Sequence, residues 1–153
     1  LIENNVSVRF IGDPSPISED IQLQMSNLQK DSRSNTGLYL NIAINYGSRD
    51  EIIRTTKSII RHFRENSLCS DDLNENLFSN FLDTQGFPDP DLVIRTANEK
   101  RLSNFLLWQT AYSEFYFSSL NWPDFYPKDL KIAIESYKFR VRTFGTNKKV
   151  TSN

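Results

Sequence analysis

The run LYLNIAINYGSRDEIIRTTKSIIRHF, residues 38–63, changes its hydrophobic period midway. Over 38–44 the apolar residues are nearly continuous, the pattern of a short strand buried on both faces or nearly so. Beyond Ser48 the period lengthens. Ile52, Thr56, Ile59, Ile60 and Phe63 recur at helical spacing and predict one inward stripe. Ser48 followed three residues later by Glu51 is a capping-box signature, and Gly47 permits a tight turn before it. The segment therefore reads as strand, turn, helix.

The same alternation continues on either side. VSVRFI, 6–11, predicts a strand closed by Gly12, Asp13 and Pro14. Ser18 is placed to cap a helix carrying Ile21, Met25 and Leu28, and SRSNTG, 32–37, breaks the chain. Downstream, 72–82 predicts a shorter helix with Leu73, Leu77, Phe78 and Phe81 inward, and QGFPDP, 85–90, a loop. Residues 92–95 read as a third strand. A helix is expected from Ser103 or Asn104 to about Tyr112, followed by a fourth strand, EFYF, at 114–117. WPDFYP turns the chain, and Pro127 suits the first turn of a last helix with Leu130, Ile134, Tyr137 and Val141 facing in. Strands alternating with helices predict an α/β fold, a parallel sheet of four strands flanked by helices, with right-handed crossovers. There is no internal repeat and no sign of a second domain, and the tail 146–153 is expected to be disordered.

Composition narrows the function. The 153 residues fit one domain, and 11 Phe, 6 Tyr and 2 Trp supply material for a core. A net charge of −1 gives no basic footprint for nucleic acid, so any anion site is local. The single cysteine, Cys69, excludes an internal disulfide and fits a reducing compartment. No apolar run reaches the roughly 20 residues of a membrane span. The chain opens without Met and almost directly in a strand, which points to a piece of a longer protein.

The chemistry concentrates in DLVIRTANEKRLSNFLLW, residues 91–108. Ligands of open parallel sheets gather outside the carboxyl ends of the strands, where Arg95 falls. Ser103 and Asn104 would open the next helix, whose N-terminus favours phosphate. Arg95 and Arg101 are then placed to fork around phosphate oxygens, with the Ser103 hydroxyl as a further donor. That much positive charge suits a diphosphate better than a carboxylate. The alternative reading leaves Arg95 and Arg101 solvated, or paired with Glu99 and Asp91. Arg49, in a first helical turn where a cation opposes the dipole, marks a weaker second junction. Glu114 enters an apolar strand, so it is either paired with an arginine or held against Mg²⁺. His62 is the only histidine, which excludes a histidine metal cluster.

NTGLYLNIAINYGSRDEI, 35–52, and DLVIRTANEKRLSNFLLWQTAYSEFYFSSLNWPDF, 91–125, closely resemble the undecaprenyl diphosphate synthase (cis-prenyltransferase) family, and VRFIGD and FRVRTFG also fit. The likeness implies that residues 1–145 are the C-terminal part of a single prenyltransferase domain with four of the family's six strands. It implies an enzyme that extends an allylic diphosphate, such as farnesyl diphosphate, with isopentenyl diphosphate units in cis. It further implies Mg²⁺, a homodimer, and a cytoplasmic location peripheral to the membrane that takes up the product. On the family's motifs, Arg95, Arg101, Leu102 and Ser103 bind isopentenyl diphosphate, Leu102 through its backbone, and Glu114 helps hold Mg²⁺. Lys100 stands where some members carry a histidine metal ligand.

The departures matter too. The family's catalytic aspartate belongs to an upstream H…MDGN segment that these residues lack, so no catalytic residue is assigned here and the chain alone is expected to be inactive. Ala97-Asn98 replaces the family's Gly-Gly or Ser-Gly, Ser48 its second glycine in NYGSR, and Thr143 a frequent arginine. Asn98 is the residue best able to keep a left-handed turn. A second reading makes the chain a non-catalytic subunit that lends its arginines to a catalytic partner.

Overall fold

The computed structural model describes residues 1–141, so the tail 146–153 and Thr143 lie outside the described residues. The chain divides into two compact units, Leu1–Phe87 and a second beginning at Pro88.

In the first unit, β1 (Val6–Ile11) pairs in parallel with β2 (Leu38–Ala43), in the register Val6↔Leu38 to Ile11↔Ala43. Between them runs α1 (Glu19–Ser32), and α2 (Ser48–Asn66) and the single turn α3 (Glu75–Ser79) follow. Val6, Val8 and Ile11 are buried, with Ile59 of α2 and Leu82 also in the unit's core.

One edge of β1 faces β2, and the other is closed by side chains. The N–H of Val8 donates to Ser32 Oγ (3.0 Å), that of Phe10 to Gln29 Oε1 (2.8 Å) and that of Gly12 to Asp83 Oδ2 (3.0 Å). Every second amide along the strand thus finds an acceptor without another strand beside it, which satisfies an edge that would otherwise invite pairing. β2 has no such cover. Leu38 (61% exposed) and Tyr39 (55%) lie open, so the strand read as buried on both faces is not buried in this chain. The reason is pairing: among the described residues β2 has β1 alone as neighbour.

The α2 N-terminus also departs from the sequence reading. Ser48 is the first helical residue, Gly47 is the cap in an extended conformation, and no side chain caps the helix. The turn is made by Asn45 at φ 46°. Glu51 is fully buried and serves tertiary structure instead, accepting the Tyr46 hydroxyl and the Asp83 N–H (2.9 Å). Burial and this hydrogen bond push the Tyr46 phenol above its usual range. Asp83 in turn takes a bidentate hydrogen bond from Arg54 (3.0 and 2.8 Å), which holds the guanidinium firmly protonated. The buried stripe of α2 is accordingly Ser48, Glu51, Thr55 and Ile59, while Thr56 and Ile60 are exposed. The polar loop around Asp83 set the rotation of the helix, overriding the apolar pattern.

In the second unit, β3 (Leu92–Arg95) pairs in parallel with β4 (Glu114–Phe117), and α4 (Pro127–Lys138) packs against β4. All four predicted strands therefore exist, each parallel to its neighbour and accompanied by helices. They hydrogen-bond as two pairs where the sequence reading had one sheet. Periodicity marks a strand without naming its neighbour.

Two helices differ more. Residues 103–112 form successive turns, because Ser103, Asn104 and Leu106 adopt left-handed φ of 50°, 62° and 47°. Such a backbone interrupts a right-handed helix wherever it occurs. Leu130 and Ile134 of α4, and Val141 beyond its end, are exposed, and Ala133 is the buried apolar residue of the helix. Their apolar pattern has no matching surface among the described residues.

Ala97 and Asn98 both take left-handed φ, 59° and 54°, and their N–H groups donate to Leu120 and Ser118 carbonyls at 2.7 and 2.8 Å. The turn is pinned to the segment after β4, so Ala97 carries the strain of a Cβ in that region. Ala97→Gly is expected to stabilise the protein by about 1 kcal/mol, read as a raised midpoint in thermal unfolding.

Candidate functional site

A cavity of about 230 Å³ opens at the carboxyl end of β3, lined by Val93, Ile94, Arg95, Arg101, Leu102, Phe105, Phe115 and Phe117. Strand register explains its composition. Val93 pairs with Phe115 and Arg95 with Phe117, so these four side chains share one face of the sheet. Phe115 and Phe117 stack with centroids 6.0 Å apart. The result is an apolar floor bounded at one end by two guanidinium groups.

The turns over 96–106 bring the rest. Arg95 donates from Nη2 to Ser103 Oγ at 3.3 Å, joining the strand end to the loop eight residues on. Arg101 projects from an exposed position and is ion-paired with Glu99. The alternative reading of the sequence thus holds for Arg101, which reaches solvent and has a carboxylate neighbour to exchange for a ligand. Lys100 is exposed beside it.

Arg95, Arg101, Leu102 and Ser103 therefore come together, three around the cavity and the fourth hydrogen-bonded to its first arginine. The helix N-terminus that was to add its dipole is absent, since 103–112 is not helical. Positive charge at this site comes from side chains alone.

Glu114 is not part of the group. It opens β4 opposite Leu92, three residues before Arg95 on the paired strand, or roughly 10 Å along the sheet. Alternation also turns it to the other face, away from Phe115 and Phe117. There it accepts a hydrogen bond from Arg140 Nη1 at 2.8 Å, in a pair with side chains 27% and 32% exposed. Sequence reasoning required a partner for this carboxylate and did not identify it. Arg140 lies 26 residues on, just past α4, and its signal was an arginine at the end of a helix that returns along β4.

Among the described residues no group of three or more histidines, cysteines or acids is arranged to hold a metal. A single carboxylate with diphosphate oxygens is enough for Mg²⁺ in principle. Within one chain, though, Glu114 and the arginine cavity face apart, so the residues present do not fit a common metal and diphosphate site.

In the first unit Arg49 lies exposed in the first turn of α2, as its sequence position implied. Cys69 is exposed and free. His62 sits against Phe81, ring centroids 5.2 Å apart, in an aromatic contact.

Two parallel strand pairs carrying helices, and a cation-rimmed cavity at a strand's carboxyl end, define an α/β protein with a candidate anion site. Comparison with known proteins makes the assignment specific: the chain belongs to the undecaprenyl diphosphate synthase family, which it matches over residues 1–145. It is 48% identical over 145 residues to an isoprenyl transferase of Clostridium perfringens, covering 95% of this chain and 57% of that protein. It is 41% identical to a Legionella pneumophila ditrans,polycis-undecaprenyl-diphosphate synthase described as (2E,6E)-farnesyl-diphosphate specific, covering 95% of this chain and 61% of the relative. The crystal structure of lavandulyl diphosphate synthase from Lavandula x intermedia, in complex with dimethylallyl diphosphate, superposes with a TM-score of 0.88 at 39% identity. That alignment covers 92% of this chain and 61% of the other. The chain thus spans about three-fifths of the length of these proteins.

Proposed function

We propose that the full-length protein condenses isopentenyl diphosphate with an allylic diphosphate, such as farnesyl diphosphate, and so builds a cis-polyprenyl diphosphate. The observation that carries this reading is the cavity itself, with two arginines at one end and a phenylalanine floor at the other. A diphosphate on the arginines would lay a five-carbon tail along Phe115 and Phe117. Arg95 and Arg101 would take separate phosphate oxygens in forked hydrogen bonds, the Leu102 backbone N–H another, and the Ser103 hydroxyl a fourth. Held this way, the isopentenyl double bond would be presented in one orientation to the allylic carbon, and positioning supplies much of the acceleration.

The relatives' names support the allylic class, farnesyl diphosphate in one and dimethylallyl diphosphate in another. Mg²⁺, when bound, would neutralise diphosphate charge as it develops on the leaving group. We assign a carboxylate contact to Glu114, which would hold the metal apart from the arginine cavity, on the other face of the β3–β4 pair. The protein would act as a homodimer in the cytoplasm, peripheral to the membrane that receives its lipid product. No helix among the described residues is long and apolar enough to cross a membrane.

Incubating the full-length protein with Mg²⁺, farnesyl diphosphate and labelled isopentenyl diphosphate tests the reading. Labelled polyprenyl diphosphates longer than the primer are expected. Binding of isopentenyl diphosphate without elongation would favour a non-catalytic subunit instead.

A further inference from the structure

A cavity of about 460 Å³ opens in the first unit between α2 and the segment 68–78, twice the volume of the one at Arg95. Ile59, Ile60 and Phe63 of α2 line one wall, and Leu68, Leu73 and Phe78 the other. Ile60 and Leu73 are 46% and 47% exposed, so this hydrocarbon lies open to solvent. Collapse would ordinarily close such a hollow, and here local hydrogen bonds hold the second wall in place. Ser67 ends α2 at φ 55°, and the Leu68 N–H donates to the Phe63 carbonyl at 3.0 Å. The Cys69 N–H donates to Asp72 Oδ2 at 2.8 Å, and Asn74 Oδ1 accepts the Leu77 N–H at 2.9 Å. Leu68, Leu73 and Phe78 are thus carried on backbone fixed by its own turns, and the cavity is preformed, as ligand pockets usually are.

The charge lining this cavity is positive. Arg64 is its one charged wall residue, and Lys57 and Arg61 share that side of α2, seven and three residues earlier. None of the three is in an ion pair among the described residues. The helix dipole accounts for a cation in the last turn, where Arg64 stands, but not for Lys57 and Arg61 before it. The Thr56 hydroxyl is spent on the Ile52 carbonyl at 2.8 Å, which leaves anion recognition to the guanidinium.

We propose that this cavity binds a single-chain anionic amphiphile, either an acyl carboxylate or a prenyl monophosphate. The chain lies against Ile60, Phe63 and Leu73, and the head group meets Arg64. One guanidinium matches a small anionic head, where the diphosphate cavity supplies two. The two cavities share no residue, so this inference goes beyond the function proposed above and does not depend on it.

Calorimetry on the full-length protein tests it, with isopentenyl diphosphate and an unreactive farnesyl thiodiphosphate in excess to keep the substrate sites filled. Dodecanoate, below its micelle-forming concentration, is expected to bind once per chain. Arg64→Gln should weaken that binding about tenfold, the loss of one charge-assisted contact. Leu73→Trp, which fills the hollow, should weaken it at least about thirtyfold. Both variants should keep wild-type elongation activity. Dodecyltrimethylammonium, with the same chain and the opposite charge, should bind at least about tenfold more weakly than dodecanoate. Farnesyl monophosphate separates the two sources: tighter binding than dodecanoate assigns the site to prenyl ligands, weaker binding to acyl ones. Thermal unfolding checks that the variants are folded, and Ile60→Asn, at an exposed position, replaces Leu73→Trp if that variant is not. Equal affinity of wild type and both variants for dodecanoate overturns the inference, as does the absence of binding to the wild type. So does dissociation of the wild-type assembly by Leu73→Trp in sedimentation, since a second copy would then cover the cavity in place of a ligand.

Discussion

Arg95→Ala and Arg101→Ala are each expected to weaken isopentenyl diphosphate binding by roughly 30- to 150-fold, the equivalent of about 2–3 kcal/mol for a charge-assisted contact. The two losses arise differently. Arg95 is half-buried at the strand end and bonded to Ser103. Its removal therefore takes away a guanidinium and also frees the loop that presents Leu102 and Ser103. Arg101 is exposed and paired with Glu99, so in the free protein its charge is partly answered already. Exchanging that carboxylate for a diphosphate gains less than filling an empty site, which places Arg101→Ala toward the lower end of the range. Arg101→Lys keeps the charge and loses the fork, and should restore binding only in part. Titration calorimetry on the full-length protein measures all three, and thermal unfolding confirms that the fold is intact.

The second large effect is on stability. Gly12 follows β1 at φ 110°, and a Cβ built there would overlap the Ile44 carbonyl oxygen. That contact is with backbone, so no side-chain rotation relieves it. The Gly12 N–H is also the point where Asp83 fastens its loop to the strand, and Asp83 is held by Arg54 and by Glu51. Gly12→Ala must therefore displace the end of β2 or give up that anchor. A loss of more than about 2 kcal/mol is expected, seen as a lower urea midpoint with an unchanged slope. An unaltered midpoint would mean that the strand ends are freer to separate than the close approach implies.

Particular residues show what the sequence disclosed. The four strands were legible because short apolar runs rich in β-branched or aromatic residues at 6–11, 38–43, 92–95 and 114–117 are local properties, and the structure places them within a residue of expectation. The helix of 48–66 was legible for the same reason, but its rotation was not. Glu51, three residues after Ser48, matches a capping box, yet the same carboxylate is drawn inside by Tyr46 and the Asp83 N–H, neither of which a local pattern reveals. Residues 103–112 failed for a related cause. FLLW has helical spacing, and nothing between Asn104 and Leu106 announces the left-handed φ that breaks it.

The site followed the same division. Arg95, Arg101 and Ser103 lie within nine positions, so a strand end and a loop suffice to group them without a helix. That Glu114 needs a partner is legible, since a charge entering an apolar strand is a local feature. Which face it occupies depends on the register of β4 against β3, and that is set by pairing.

If one cavity holds a diphosphate and a five-carbon tail together, competition calorimetry of isopentenyl diphosphate against inorganic diphosphate on the full-length protein will separate the two ligands. Burying even half of the tail against Phe115 and Phe117 gains about 2 kcal/mol at roughly 0.8 kcal/mol per methylene, so isopentenyl diphosphate should bind at least about tenfold more tightly. Equal affinity for the two ligands would contradict the account, because the phenylalanine floor would then play no part in recognition.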